Sequence, residues 1–267
     1  MYFGKTSHRA CGLALAGLLF SGLSCAKAPP TTGSGTRLVV TVRFAGPINP
    51  TYHYFFLVRN AADSAGQNGP IPVILPPYGG NGFAAGKFPS SATAAFTDFV
   101  EFNRTDQPFV TDTGYTVYHV PGGYLGDPSR TFYLARGNPV ASTAPGSGNV
   151  LQFELDLSQI RAETTDAVPN PDLRPRYLQV NIIAATTTPA NSTTIDDRYA
   201  FDAIGDQRQS AGGDSFNSFI TIDTTQVGKK YESTSIPGPD EPTGDSYPSD
   251  RDPAIDMTYW SIQITSH

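Results

Sequence analysis

The chain has 267 residues, 39% of them hydrophobic, with 18 basic against 24 acidic residues and a formal net charge of −6. That balance argues against a sequence-independent nucleic-acid binder and against a basic surface that docks on anionic lipid, since each needs a cationic face. The four histidines and two cysteines fall in no HExxH or CxxC spacing, and no GxSxG or P-loop occurs. Metal-dependent hydrolysis and Ser-His-Asp catalysis are therefore poorly supported, and no enzyme or resident cofactor is expected.

In chain order, the first element is a leader. Lys5 and Arg9 precede an uncharged stretch from Ala10 to Ala26 whose greasy part is Leu13, Leu15, Leu18, Leu19, Phe20 and Leu23. A basic flank followed by a short apolar run is the secretory-signal pattern, and the run is too short for a comfortable membrane span. Two cleavage sites compete. Ala26 and Ala28 offer small residues at −3 and −1, but Pro29 would follow the scissile bond, where its ring and missing N–H are unfavourable. The other site precedes Cys25, and "SGLSC" resembles the lipobox of bacterial lipoproteins, departing from it at Gly22 and Leu23, where Leu followed by Ala or Ser is commoner. The resemblance implies a diacylglycerol thioether on Cys25, cleavage before it and acylation of the new amine. Several acyl chains hold a protein on a membrane where one holds it marginally. Residues 1–24 then form the signal peptide, and 25–35 a Pro/Thr/Gly-rich tether between bilayer and domain.

The expected address is the extracytoplasmic face of a bacterial envelope. Ala26, not Asp, after the cysteine implies the outer membrane if the host has two membranes; the alternative is a soluble secreted protein. Loss of Lys5 and Arg9 takes the 18 basic residues to 16 against 24 acidic ones, a balance of −8. With Cys11 in the leader and Cys25 acylated, no thiol remains for a disulfide, metal or nucleophile.

Strand patterns then recur, separated by Pro, Gly, Asn and Asp. They are residues 37–44, 52–60, 97–103, 114–120, 131–136, 149–157, 176–185, 217–223 and 259–265, with 71–75 a weaker one. In the first, Leu38, Val40, Val42 and Phe44 share one face opposite Val39, Thr41 and Arg43. Helical periodicity is confined to 90–96 and a turn at 157–163. About ten short strands with polar turns predict an all-β fold, a single antiparallel β-sandwich over residues 36–267 with long Gly/Pro/Asp-rich loops. Three connections are long or biased in composition, 76–91, 186–215 and 228–256, and such loops are functional or disordered.

The candidate sites fall mostly in those connections. "PPYGGNGF" sets Tyr78 and Phe83 among glycines with Asn81 between them, and "PGGYLGDPSRTF" repeats the chemistry at Tyr124. Glycines let a ligand approach the backbone, and aromatics stack on sugar rings. The competing reading is a pair of hairpin loops whose aromatics fold back over the sandwich edge. Asp196, Asp197, Asp202 and Asp206 concentrate carboxylates of the kind calcium takes, although the spacing is not that of an EF-hand and Arg198 lies among them. Solvated loop acids and turn formers are the competing account there, as for Asp240, Glu241, Asp245, Asp250, Asp252 and Asp256. His53 and His119 read as partly buried, hydrogen-bonded strand residues. Glu154 and Asp156 read as the wet face of an amphipathic strand, and as a glycosidase pair only beneath a cleft.

"YHYFFLVRNAAD", "PPYGGNGF", "LQVNIIAATTT" followed by "RYAFDAIGD", "NSFITID" and the closing "WSIQI" are similar to bacterial envelope lipoproteins of uncharacterised role. Those resemble in turn the β-sandwich modules appended to glucodextranase-type enzymes, where a strand feeds a glycine- and aromatic-rich loop. Tyr78 stands where such a loop would carry Trp. The resemblance implies proximity to glycans, with Tyr78, Phe83 and Tyr124 stacking and Asn81 hydrogen-bonding. Two functions follow as expectations: a membrane-anchored binding module with carbohydrate as the leading ligand class, or a structural or assembly lipoprotein that meets another envelope protein through its acidic loops.

Overall fold

A computed structural model describes residues 35–61, Ser64, 69–72, 84–85, 96–105, 113–119, 134–160, 175–186, 201–204, 219–234 and 252–266. They form β1 (Thr36–Phe44), β2 (His53–Ala61), β3 (Ile71–Pro72), β4 (Ala84–Ala85), β5 (Asp98–Phe102), β6 (Tyr115–His119) and β7 (Leu134–Gly137). The chain continues through β8 (Ala141–Thr143), β9 (Val150–Asp156), a 3-10 turn (Leu157–Ile160), β10 (Tyr177–Ala185), β11 (Phe201–Ala203), β12 (Ile220–Asp223), β13 (Lys230–Glu232) and β14 (Met257–Ser266). The fold is the expected all-β sandwich. A five-stranded sheet in the order β13-β14-β1-β9-β8 packs on a seven-stranded sheet in the order β11-β10-β2-β5-β6-β7, with β12 also paired to β10. The strands β3 and β4 pair separately.

Alternation in sequence builds the space between the sheets. Leu38, Val40 and Val42 of β1, Phe153 and Leu155 of β9, and Trp260, Ile262 and Ile264 of β14 point inward from the five-stranded sheet. Facing them are Tyr54, Phe56 and Val58, Val100 and Phe102, Tyr115 and Val117, and Leu178, Val180 and Ile182. The rings of Phe56 and Phe153 meet across the interface edge to face, with centroids 5.6 Å apart. Each such large side chain contributes about 1.5–3 kcal/mol by leaving water. Polar links cross as well: Met257 N–H donates to Asp202 Oδ2 at 2.7 Å, and Gln152 N–H donates to Tyr115 Oη at 3.2 Å.

The two sheets treat their outer faces differently. On β1 the pattern alternates, with Val39 and Thr41 half-buried and Arg43 exposed. In the seven-stranded sheet, β5 and β6 are buried at every position, as is β10 after Tyr177. A second apolar cluster of Phe55, Leu57, Phe96, Phe99, Tyr118, Ile183 and Ala203 occupies its outer face. Gln179 and Asn181, polar members of an alternating pattern, are fully buried there, and Asn181 Nδ2 donates to Pro70 O at 3.0 Å.

Register also sorts the ends of the sandwich. At the end where β1 begins, Thr36 pairs with Ser266 and Arg37 with Asp156. The turn 224–229 carries the chain from β12 to β13, and Gly228 N–H donates to Ile264 O, so the end of β12 lies at this same end. Asp223 pairs with Tyr177, Tyr177 with Ala61, and Asp98 with His119, which places all of these at the entry end. The far end holds Phe44, whose ring packs on that of Tyr54 at 5.0 Å, together with Met257, Phe102 and Ala185.

The far end is knit by short side chains. Asn49 Oδ1 accepts from Thr51 N–H and its hydroxyl, and Tyr52 Oη donates to Asp252 Oδ2 at 2.7 Å. Asn103 Nδ2 donates to Tyr52 O at 2.9 Å and to Thr51 O, while its Oδ1 accepts from Thr105 N–H. Gly114, with φ of 80°, closes onto Asn103 N–H; a Cβ there would meet Arg104 and Phe102.

Candidate functional site

The groups richest in chemistry within the described residues are two buried acid–imidazole pairs, both on β5. Asp98 and Glu101 are three residues apart, so they lie on opposite faces of the strand. Asp98 shares a face with Val100 and Phe102 and lies between the sheets. His119, its cross-strand partner at the end of β6, holds Asp98 Oδ1 at 3.0 Å through Nδ1. Glu101 shares the outer face with Phe99. His53, the first residue of β2, approaches its Oε1 at 2.8 Å through Nδ1 and stacks on Phe55. Asn103 completes this outer group, its Nδ2 lying 3.4 Å from the His53 ring nitrogens.

Burial dominates the electrostatics of Asp98. Loss of water pushes its carboxyl above the ordinary carboxylate value, and the hydrogen bond and charge of His119, the hydroxyl of Thr97 and the charge of Arg136 oppose this only in part. A carboxyl beside an imidazole has the makings of a proton relay. Asp98 and Glu101, however, have no solvent exposure, and each closes a strand pairing. Their chemistry is to pin β5 to its neighbours. That agrees with the sequence reading of His53 and His119 as hydrogen-bonded strand residues.

The other sequence candidates are placed as follows. Cys25, Tyr78, Asn81, Phe83, Tyr124, Asp196, Asp197 and Asp206 lie outside the described residues. Asp202 is fully buried, not a solvated loop acid; it spans the sheets, with Oδ1 accepting from Ala203 N–H and Oδ2 from Met257 N–H. Each carboxylate oxygen thus already accepts one backbone N–H. Among the described residues, no three His, Cys, Asp or Glu side chains converge as metal ligands.

Glu154 and Asp156 share the outer face of β9 as expected, but Asp156 is buried and both are tied to Arg37. The guanidinium lies 3.1 Å from Glu154 and 3.9 Å from Asp156, and Asp156 Oδ1 also accepts from Ser158 N–H. The pair is thus a cross-strand ion cluster. An apolar interstice in the core, lined by Phe44, Tyr54, Phe102, Tyr115 and Phe153 among others, presents almost no polar surface to orient a ligand.

The acid–imidazole pairs went unread in the sequence because their members are 21 and 48 residues apart and meet only through register. The available signal was Asp-x-x-Glu in a strand, with a histidine in each of two other strands. No family model matches the chain, and neither a curated protein nor a solved structure matches it.

Proposed function

We propose that this chain is a lipid-anchored, extracytoplasmic binding module, held at a bacterial membrane through acylated Cys25 and taking carbohydrate as its ligand class. The observation that supports the ligand reading is the recurrence of glycines with aromatic side chains in two connections, at Tyr78 and Phe83 and again at Tyr124. Segment 86–95 enters β5 just before Phe96, and segment 120–133 leaves β6 just after His119. Tyr124 follows the end of β6 in the chain, whereas Tyr78, Asn81 and Phe83 fall between the paired strands β3 and β4. Two such loops can grip one sugar chain between stacking rings and a side-chain amide. The buried Asp98–His119 pair gives the start of the second stretch a fixed base.

A glycan array probed with the mature protein tests the reading. Binding that is lost in Tyr78→Ala and in Tyr124→Ala is expected. Absence of signal on every glycan would favour the second reading, an assembly lipoprotein that contacts another envelope protein. That alternative draws support from the far end. Residues 187–200 leave from Ala185 and Thr186, and residues 235–251 run between β13 and Asp252, so the segments bearing Asp196, Asp197, Asp240, Glu241, Asp245 and Asp250 join the sandwich there.

A further inference from the structure

Exposed apolar side chains are unevenly distributed over the sandwich. Leu134, Val140 and Val227 are the large hydrophobic residues left exposed among the described ones, at 51%, 46% and 53%. Leu134 pairs with His119, at the entry end of the seven-stranded sheet. Val227 sits in the turn 224–229, beside the Gly228 N–H bond to Ile264 O. Val140 flanks the same half, its N–H donating to Glu154 O near the end of β9. Leu134 and Val227 occupy opposite flanks of the entry end, one on the β7 side and the other on the β12–β13 side. Arg176 and Lys229 are exposed at this end, and Asp223, the last residue of β12, accepts from the Thr225 N–H and hydroxyl and feels the charge of Arg176. Net charge had argued against a lipid-facing surface, but it averages over the molecule, whereas contact with a bilayer is set by one end of it.

We propose that the entry end of the sandwich rests on the bilayer that holds the protein's own lipid, with Leu134 and Val227 in the headgroup layer and Arg176 and Lys229 at the level of the phosphates. This rests on the anchoring reading of Cys25. Residues 26–35 reach at most about 35 Å at ~3.5 Å per residue. The end from which β1 starts is held close to the membrane by that constraint alone, and apolar side chains flanked by cations are what a headgroup layer accepts. The far end, with Asn49, Asn103 and Asp252, then points away from the membrane. A glycan bound by the segment that follows His119 is accordingly one displayed at the bilayer surface.

The test uses the acylated protein reconstituted in phosphatidylethanolamine–phosphatidylglycerol vesicles that carry a headgroup acceptor dye. Cys11 and Cys25 are the chain's two cysteines, so Gln226→Cys and Thr51→Cys each supply one free thiol for a donor. The labels mark opposite ends of strands about 30 Å long, and transfer from position 226 is expected to exceed that from position 51 at least ~3-fold. Val227→Asp should lower transfer from 226 without moving the unfolding midpoint. Equal or reversed transfer from protein that is acylated and vesicle-bound overturns the orientation and leaves the anchor standing. Equal transfer together with a cross-link from position 226 to an envelope protein in whole cells assigns this end to a protein partner and also overturns it. Unmodified Cys25 in protein that fails to bind vesicles overturns both readings.

Discussion

The two ends of the sandwich are built on different principles. The far end is closed by short polar side chains that satisfy turn backbone: Asn49 and Asn103 each cap a turn, and Asp252 ties the approach to β14 to Tyr52. The entry end has a buried acid–imidazole pair at its base, apolar side chains left in the open, and the start of the glycine- and aromatic-rich segment that follows His119. A surface saturated with internal hydrogen bonds holds its shape and asks for nothing. One that leaves large apolar groups exposed keeps a cost that contact with something else removes. That difference is the reason the proposed membrane contact is assigned to the entry end.

Substitutions probe that contrast, and the largest effect is expected at the far end. Asn103→Ala removes donors to Thr51 O and Tyr52 O and the acceptor for Thr105 N–H, from a residue with no exposure. A loss of about 2–4 kcal/mol in denaturant unfolding is predicted, since the turn groups lose their partners. Tyr52→Phe, which removes only the hydroxyl held by Asp252, should cost about 1 kcal/mol.

Asp98→Asn sharpens the entry-end half through pH. The carboxyl of Asp98 is raised above its ordinary 3.8 in the folded protein, chiefly by burial. Its contribution to stability is thus fully present below the unfolded value and is lost as pH rises through the folded one. The wild type should lose urea resistance relative to Asp98→Asn as pH climbs from about 4 toward neutrality, and a difference independent of pH would contradict the assignment. The smallest effect is expected for Leu134→Asn, which should alter stability by no more than about 0.5 kcal/mol because the side chain is half in solvent. Its consequence should be seen only in contact with vesicles.

Much of the fold was legible in the sequence because its long strands carry a clean period of two. β1, β2, β9, β10 and β14 all fall within two residues of their expected limits, and the 3-10 turn lies within the turn expected at 157–163. The strands β4, β8, β11 and β13 were not legible, since two or three residues contain no period to read. Polarity is no guide to exposure on the outer face of the seven-stranded sheet. Gln179, Asn181 and Glu101 alternate with apolar residues as if facing water, yet they are buried, and partners distant in sequence, such as Pro70 for Asn181 and His53 for Glu101, satisfy them. Asp202 misled for the same reason: its partner Met257 lies 55 residues away. Local sequence states which groups need hydrogen bonds; only topology states who supplies them.

The reading of the ends depends on which of them is tied to the membrane, and that depends on Cys25. Intact mass and N-terminal sequence of the protein extracted from the envelope test it most directly. The expected result is a mature chain that begins at Cys25 and carries acyl mass, with Cys25→Ala either released or left unprocessed. An unacylated chain beginning at Pro29 would contradict it.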